Sequence, residues 1–197
     1  MQSTLYYGVE QDLQPRTTNH PYLKDAQYAK ARLLYHNVLY PEVLLRLDFS
    51  RDELVALSPD QQNIVLFPEN VDSVELHGQH IIYFRRDTLS GCPSSGYYIL
   101  LHSGKYKVLE KNTASLKDTE GIGNQTEWYY AISTQYYLFM DDAYYNVSSQ
   151  RSLLKALALH KKELKRFISA NHLKFRKNAE EFLSRTVNEY EIITGAL

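Results

Sequence analysis

The sequence has little cysteine: Cys92 is the single cysteine among 197 residues. One cysteine excludes an intramolecular disulfide and any metal site built from several cysteines. The surrounding loop, SGCPSSG, carries no further sign of a catalytic nucleophile, so we interpret this thiol as incidental. Long hydrophobic runs are also missing, and no stretch approaches the roughly 20 apolar residues that a membrane-spanning helix requires. The sequence therefore predicts neither a disulfide-stabilised scaffold nor a helical membrane protein.

Signatures of catalysis are equally scarce. There is no G-x-S-x-G motif, and the segment EGIGNQT has only part of a glycine-rich phosphate loop, with no predicted helix after it. The acidic residues that could form a carboxylate pair all fall at predicted turns, where acids are common turn formers. They are Asp48, Asp52, Glu53, Asp141 and Asp142. We therefore predict no catalytic residue and no cofactor.

Tyrosine, in contrast, is abundant, with 17 residues. Tyr favours strands and half-wetted surfaces, because its ring can be buried while its hydroxyl contacts water or a partner. This enrichment favours β structure and, by association, a secreted or envelope protein. The start Met1-Gln2-Ser3 looks like an initiator methionine placed before the mature N-terminus of a secreted chain. We expect a periplasmic or extracellular protein whose signal peptide has been removed.

Short apolar runs separated by turn residues begin at Tyr28 and recur along the chain. This spacing predicts an antiparallel β meander over residues 28–148, preceded by an extended or partly disordered arm at residues 1–27. The predicted strands are 29–36, 38–50 (with Pro41 at a bulge or edge), 52–58, 63–67, 72–77, 80–86, 96–103, 106–111, 127–140 and 143–148. Residues 87–95 and 112–126 are predicted to be loops at one rim of the domain.

The spacing of apolar residues becomes helical over residues 149–197. Ser148 or Ser149 is a candidate N-cap, and Asn178 with Glu181 resembles a capping box at the start of a later helix. The apolar residues at helical spacing include Leu164, Phe167, Ile168, Phe182, Leu183, Val187 and Tyr190. The sequence thus predicts an α+β fold, in which two or three C-terminal helices pack on an antiparallel β domain that is a sandwich or an open barrel.

Positive charge is concentrated in residues 151–178, which hold nine Lys or Arg residues and one acidic residue, Glu163. We interpret this charge as the solvated face of amphipathic helices. The alternative is that the basic region docks on an anionic surface, either a membrane or nucleic acid. An acidic helix follows the basic one and would repel phosphate, so nucleic acid is not the expected partner.

Two histidines, His77 and His80, flank a predicted two-residue turn at Gly78-Gln79. In a tight hairpin they would lie opposite each other, with Cβ atoms about 5 Å apart. Such a pair is a weak candidate for holding a metal, but a zinc site needs a third ligand and none is evident. We therefore interpret the pair as two solvated histidines.

The most aromatic part of the chain is the predicted hairpin of strands 127–140 and 143–148, which turns at Asp141-Asp142. Alternation of side chains places Tyr137, Phe139 and Tyr144 together on the less apolar face. These three residues are candidates for binding a ligand, either a glycan or a peptide. The other interpretation, which we expect, is that the C-terminal helices cover them, because burying each ring contributes about 1.5–3 kcal/mol.

Several segments together resemble a known group of proteins. They are PYLKDAQ, LLYHNVLYPEVLLRLDFSRDELVAL, VLFPENVDSVEL, YYLFMDDAYYNVSSQRSLLKAL and KKELKRFISANHLKF. In order and spacing, residues 21–197 resemble exported envelope proteins of Gram-negative bacteria for which no activity is established. The turns of that group carry Asp-Gly, whereas here they are His36-Asn37 and Asp141-Asp142. The resemblance implies a periplasmic or secreted location and implies no reaction.

The sequence accordingly favours a non-catalytic exported envelope protein that binds a protein, glycan or lipid partner. The alternatives are a protein whose basic helices dock on an anionic surface and a small enzyme without a recognisable motif. An apolar cavity in the sheet would favour ligand binding, a flat positive face would favour an anionic surface, and a cleft with a perturbed carboxylate or histidine would favour an enzyme.

Overall fold

The computed structural model describes residues 4–12, 15–120 and 126–195. Within these residues it has eleven β strands, followed by three α-helices. The strands are β1 (Val9–Glu10), β2 (Ala29–Tyr35), β3 (Val38–Asp48), β4 (Glu53–Leu57), β5 (Asn63–Val65), β6 (Val71–Leu76), β7 (Gln79–Phe84), β8 (Gly96–Ser103), β9 (Lys107–Glu120), β10 (Thr126–Met140) and β11 (Ala143–Asn146). The helices are α1 (Gln150–Ala156), α2 (Lys161–Ala170) and α3 (Ala179–Thr194). The predicted α+β class is confirmed.

All eleven strands of the described chain belong to one antiparallel open sheet. Their order is β1-β5-β4-β3-β2-β6-β7-β8-β9-β10-β11. The meander is therefore interrupted twice: β1 pairs with β5 rather than with β2, and the chain crosses over from β5 to β6, which lies beside β2. A 3-10 helix at Pro68–Asn70 lies in this crossover. The sequence analysis did not predict β1, which has only two residues and pairs Val9 with Val65 and Glu10 with Ile64.

The prediction of a loop over residues 112–126 is wrong for residues 112–120, which continue β9. The remainder, residues 121–125, lies outside the described residues. Beyond Ala114 the strand is exposed at every position through Glu120, so its side chains show no apolar alternation. Every residue except proline can donate a main-chain hydrogen bond, and such bonds maintain the strand here. A prediction based on apolar runs misses such a strand.

The structure confirms the two predicted hairpin turns that lack glycine, His36-Asn37 and Asp141-Asp142. His36 and Asn37 have φ of 52° and 59°, and Asp141 and Asp142 have φ of 50° and 56°. Two successive positive φ values define the type I′ turn, whose twist matches that of the paired strands. Pro41 lies at a register shift between β2 and β3, as predicted, where its missing N–H costs no ladder hydrogen bond.

The chain divides into two compact units. The first comprises Met1–Phe84, Gly96–Tyr98 and Asn112–Thr134, and the second comprises Arg85–Ser95, Ile99–Lys111 and Gln135–Leu197. The first unit has a core of alternate side chains from β2, β3, β4 and β6. Among the most buried are Leu33, Tyr35, Leu45, Leu47, Leu54, Leu66, Leu76 and Ile81.

The N-terminal segment contributes to the first unit as well. Leu5, Tyr22 and Leu23 are buried. Tyr22 forms an isolated bridge with Asp48, and the guanidinium of Arg46 lies 4.2 Å from the centre of the Tyr22 ring. Within the described residues, the segment before β2 includes a 3-10 helix at Thr4–Tyr6 and is anchored through these side chains.

In the second unit the C-terminal helices begin at the predicted caps. The Ser149 hydroxyl accepts a hydrogen bond from the Ser152 N–H at the start of α1. The Asn178 side chain accepts one from the Glu181 N–H at 3.0 Å at the start of α3. Apolar side chains of the helices then pack together on the sheet. They include Leu153, Leu154, Leu157, Leu164, Ile168, Phe182, Leu183, Val187 and Tyr190.

A fully buried carboxylate, Glu191, connects α3 to the β8–β9 hairpin. Its Oε2 atom lies 2.9 Å from Nε2 of His102, and its Oε1 atom accepts a hydrogen bond of 2.7 Å from the Tyr106 N–H. A Cβ atom added at Gly104 would overlap both carboxylate oxygens. Glycine at position 104 therefore allows the main chain of the hairpin to approach the carboxylate.

We expect the Gly104→Ala variant to be less stable than the wild type by about 1–3 kcal/mol, because the added methyl group must displace a hydrogen-bonded carboxylate that has no free space. Urea unfolding would measure the loss. Ser103→Ala, in the same turn and exposed, is the matched control and is expected to change stability by less than about 0.5 kcal/mol. Equal stability of Gly104→Ala and the wild type would contradict the close packing of this turn.

Candidate functional site

The structure confirms the predicted register of the aromatic hairpin. Phe139 pairs with Tyr144, and Tyr137 pairs with Asn146. The rings of Phe139 and Tyr144 have centroids 4.8 Å apart, and the Tyr137 hydroxyl donates to Oε1 of Gln135 at 2.9 Å. Tyr137, Phe139 and Tyr144, which we call the aromatic strip, are all half-buried.

The expectation that the helices cover the aromatic strip is wrong. The helices pack instead against the other face of the hairpin, where Leu138, Met140 and Val147 belong to the buried cluster that the helices form. This face carries the buried Leu138, Met140 and Val147, with Tyr136 packed beside them, whereas the strip consists of three aromatic rings, two of which carry hydroxyl groups that need hydrogen bonds. Covering the more apolar face removes more apolar area from water and leaves fewer polar groups without partners.

The loop between β7 and β8 lies along β11 beside the aromatic strip. The Tyr144 N–H donates to the Ser90 carbonyl at 2.8 Å, and the Tyr144 hydroxyl is 3.4 Å from Oδ2 of Asp87. Burial, followed by the negative charge of Asp87, raises the pKa of Tyr144 to about 12. These contacts give Tyr144 a structural role in holding the loop, which weakens the aromatic strip as a ligand platform.

Cys92 lies in the same loop, where its sulfur accepts a hydrogen bond of 3.3 Å from the Asp87 N–H. Desolvation is the main effect on this group and raises the pKa of the thiol. A thiol with a raised pKa has a smaller thiolate fraction and is a weaker nucleophile. In the structure, Cys92 acts as a hydrogen-bond acceptor within this loop.

The predicted opposition of His77 and His80 is wrong. The turn between β6 and β7 is formed by His77 and Gly78, with φ of 54° and 73°. His80 consequently pairs with Glu75. The predicted turn was one residue too far along the chain, and a shift of one residue changes every partner in a hairpin. Within residues 4–12, 15–120 and 126–195, no group of three or more His, Cys, Asp or Glu side chains could hold a metal ion.

Two of the acidic residues at predicted turns accept hydrogen bonds from main-chain N–H groups. Oδ1 of Asp48 accepts hydrogen bonds from the backbone N–H and the hydroxyl of Ser50, at 2.8 and 2.7 Å. Oδ1 of Asp52 accepts one from the Tyr97 N–H at 3.2 Å. The other carboxylate oxygen of Asp48 and Oε2 of Glu53 each accept a hydrogen bond of 3.1 Å from Nε2 of Gln11, so the side chains of these two acids are linked through one amide group.

The structure instead brings together an aromatic pocket that the sequence analysis did not predict. It has a volume of about 410 Å³ and is lined by Tyr7, Tyr35, His36, Phe67 and Asn70. This volume falls within the range of about 300–1,000 Å³ that is typical of small-ligand pockets. The lining contains four rings and one amide, and none of its residues is Asp, Glu, Lys or Arg. The pocket is therefore suited to an uncharged ligand with both apolar and hydroxyl groups.

Two rings of the aromatic pocket are open to solvent and the other side is fixed. Tyr7 is 60% exposed and Phe67 is 39% exposed, whereas Tyr35 is 1% exposed. The Tyr35 and His36 rings meet edge to face, with centroids 5.4 Å apart and an interplanar angle of 82°. The rings of Tyr7 and Phe67 are therefore exposed beside the buried Tyr35, and such exposed rings can stack against a ligand.

Main-chain pairing holds the polar side of the aromatic pocket. The His36 N–H donates to the Asn70 carbonyl at 2.9 Å, and Asn70 Nδ2 donates to the Tyr35 hydroxyl at 3.3 Å. On the adjacent turn residue, the Asn37 N–H donates to Oδ2 of Asp72 at 3.0 Å. The β2–β3 turn and the 3-10 helix at Pro68–Asn70 are thereby joined, so the main chain that carries His36 and Asn70 is held in place at the pocket.

Another depression, of about 420 Å³, lies on the first unit and includes His80. Arg32 and Glu75 line it and form a salt bridge of 3.0 Å with each other. Since their charges are already paired across the depression, we consider it a weaker candidate than the aromatic pocket.

Among the described residues, no helix combines the length and the apolar character that crossing a membrane requires. Comparison of the chain with protein family models, with curated proteins and with solved structures found no match.

Proposed function

We propose that this protein is a non-catalytic, exported envelope protein that binds a neutral glycan in the aromatic pocket. The observation that carries the proposal is the exposure of Tyr7 and Phe67 beside the imidazole of His36 and the amide of Asn70. Sugar rings present C–H groups on their faces and hydroxyl groups at their edges. Aromatic rings have an electron-rich face that attracts the C–H groups, while imidazole and amide groups hydrogen-bond the hydroxyls.

The chemistry of the lining favours a glycan over the other expected partners. A lipid tail would displace water from the amide and the imidazole without offering them hydrogen-bond partners, which is unfavourable. A charged ligand would meet no residue of opposite formal charge among the five that line the pocket. The lining also lacks the pair of carboxylates that glycoside hydrolysis uses, which supports binding without cleavage. The export of the chain is supported by its tyrosine content and by its resemblance to exported envelope proteins.

The proposal is tested by isothermal titration calorimetry with three neutral trisaccharides: maltotriose, cellotriose and N,N′,N″-triacetylchitotriose. We expect at least one to bind the wild type, and we expect Tyr7→Ala and Phe67→Ala each to weaken that binding about tenfold. A tenfold change corresponds to about 1.4 kcal/mol, a reasonable value for removing one stacked ring. Both side chains are exposed, so the variants are expected to fold.

The matched control is Tyr145→Ala, which removes a partly exposed tyrosine (38% exposed) that is not in the pocket. It is expected to bind the same trisaccharide as tightly as the wild type does. Failure of all three trisaccharides to bind at millimolar concentration would contradict the proposal. An equal loss of affinity in Tyr145→Ala would also contradict it, because the effect would then not arise in the pocket.

A further inference from the structure

Two segments of the second unit bring positive charge to one cavity. Residues 148–151, at the start of α1, and residues 174–176, between α2 and α3, together line a space of about 660 Å³. We call this space the basic cleft. Three of its side chains, Arg151, Lys174 and Arg176, are cationic and exposed. The remaining lining residues carry hydroxyl, amide or phenyl groups, so the cleft holds three positive charges and no acidic side chain.

Among the described residues, no ion pair neutralises the charges of the basic cleft, because Arg151, Lys174 and Arg176 form none. Some cations outside the cleft do have partners: Arg185 lies 3.1 Å from Glu181, and Lys30 and Arg32 form similar pairs on the first unit. Like charges that converge on one cavity repel each other, and an anion bound among them would relieve that repulsion.

The base of the basic cleft is rigid. The Phe175 ring packs edge to face on Phe182, with centroids 5.7 Å apart, and on Tyr136, with centroids 6.0 Å apart. The N–H groups of Lys177 and Asn178 donate to the Lys174 carbonyl at 3.0 and 3.1 Å, which forms a tight turn. Because this turn and the ring beneath it are fixed, the main chain that carries Lys174 and Arg176 is already in place before binding.

We propose that the basic cleft binds a phosphate ester, with the phosphate group on the cations and the organic group against Phe175. Arginine presents several N–H donors in a planar fork that matches phosphate oxygens, and lysine adds a point charge. The exposed hydroxyl of Ser148 supplies a further donor. The cleft is larger than a phosphate ion alone requires, so an organic group can occupy the space beside the ring.

Two probes distinguish the two possible sources of the phosphate group, a soluble ester and a lipid headgroup. Glucose 1-phosphate represents a soluble phosphate ester, and vesicles of phosphatidylcholine with one-fifth phosphatidylglycerol represent a lipid headgroup. Binding to each would be measured at physiological salt, by NMR titration for the sugar phosphate and by co-sedimentation for the vesicles. We expect the wild type to bind at least one probe, and the probe that is bound identifies the source.

The decisive variant is Arg151→Gln with Arg176→Gln, which removes two positive charges from the cleft. The matched control is Lys162→Gln with Arg166→Gln, which removes two charges from exposed positions on α2 that do not line the cleft. We expect the cleft variant to bind at least tenfold more weakly and the control to change less than threefold.

Three outcomes would overturn the inference: neither probe binds, the cleft variant binds as well as the wild type, or both variants lose affinity equally. The last outcome would mean that diffuse charge over the helices, rather than the cleft, attracts anions. The basic cleft and the aromatic pocket share no residue, so failure at either one leaves the other proposal standing.

Discussion

Replacing Leu138 with alanine is expected to reduce the free energy of unfolding by about 2–5 kcal/mol. Leu138 is fully buried on β10, and its side chain belongs to the core cluster that also contains the apolar residues of all three helices. Truncation leaves a cavity between strand and helices, since well-packed surroundings collapse only partly into the vacated space. Urea unfolding followed by far-ultraviolet circular dichroism would measure the loss.

The neighbouring residue provides the control for this result. Phe139 lies on the opposite face of the same strand and is half-buried in the aromatic strip. Although its side chain is larger than that of leucine, we expect Phe139→Ala to cost less than Leu138→Ala. The order of the two losses reports which face the helices cover. A larger loss for Phe139→Ala would show that the helices pack on the aromatic strip.

Replacing Glu191 with alanine is expected to cost about 3 kcal/mol. The substitution leaves the Tyr106 N–H buried without an acceptor and removes the partner of His102. A buried donor left unsatisfied costs about 1–3 kcal/mol, and the lost side-chain volume adds to that. Glu191→Gln should have an intermediate effect, because the amide oxygen can still accept from the Tyr106 N–H. Urea unfolding of the three proteins would give the order.

Glu189→Ala is the matched control, since it removes the same kind of side chain from the same helix at a position that is not fully buried. We expect it to change stability by less than about 0.5 kcal/mol. A loss below about 1 kcal/mol for Glu191→Ala would contradict the role of this carboxylate in joining α3 to the β8–β9 hairpin.

Local features of the fold could be predicted where one short stretch of sequence decides the conformation. The Asp141-Asp142 turn and the alternation on either side of it determine the register of β10 and β11. Ser149 and Asn178 mark helix starts because their side chains accept hydrogen bonds from the first turn. These interactions reach across a few residues, so the sequence alone contains what is needed to recognise them.

Other features of the fold were predicted wrongly, because the sequence is also compatible with alternative structures. The His77-Gly78 turn differs by one residue from the predicted Gly78-Gln79 turn, and both contain the flexible glycine. Residues 112–120 form a strand without an apolar pattern. The helices could pack on either face of the β10–β11 hairpin. Which face they cover depends on how much apolar area each face presents in the folded structure.

The candidate site could not be predicted from local sequence. The lining residues come from three separate segments, around Tyr7, Tyr35 and Phe67–Asn70, and each is unremarkable in its own context. The pairing of β1 with β5, and of β2 with β6, brings these segments together. Both pairings join strands that are not consecutive in the chain, which the predicted meander did not include. The abundance of tyrosine was the available signal, but it indicated the aromatic hairpin at residues 127–148 rather than the aromatic pocket.

The most direct test of the proposed glycan-binding function is an NMR titration of protein labelled with ¹³C in its Tyr and Phe rings. Maltotriose, cellotriose and N,N′,N″-triacetylchitotriose would be added separately. We predict that a bound trisaccharide shifts the ring signals of Tyr7 and Phe67 and leaves those of Tyr137, Phe139 and Tyr144 unchanged. Shifts confined to the aromatic strip, or no shifts with any of the three trisaccharides, would contradict the proposal.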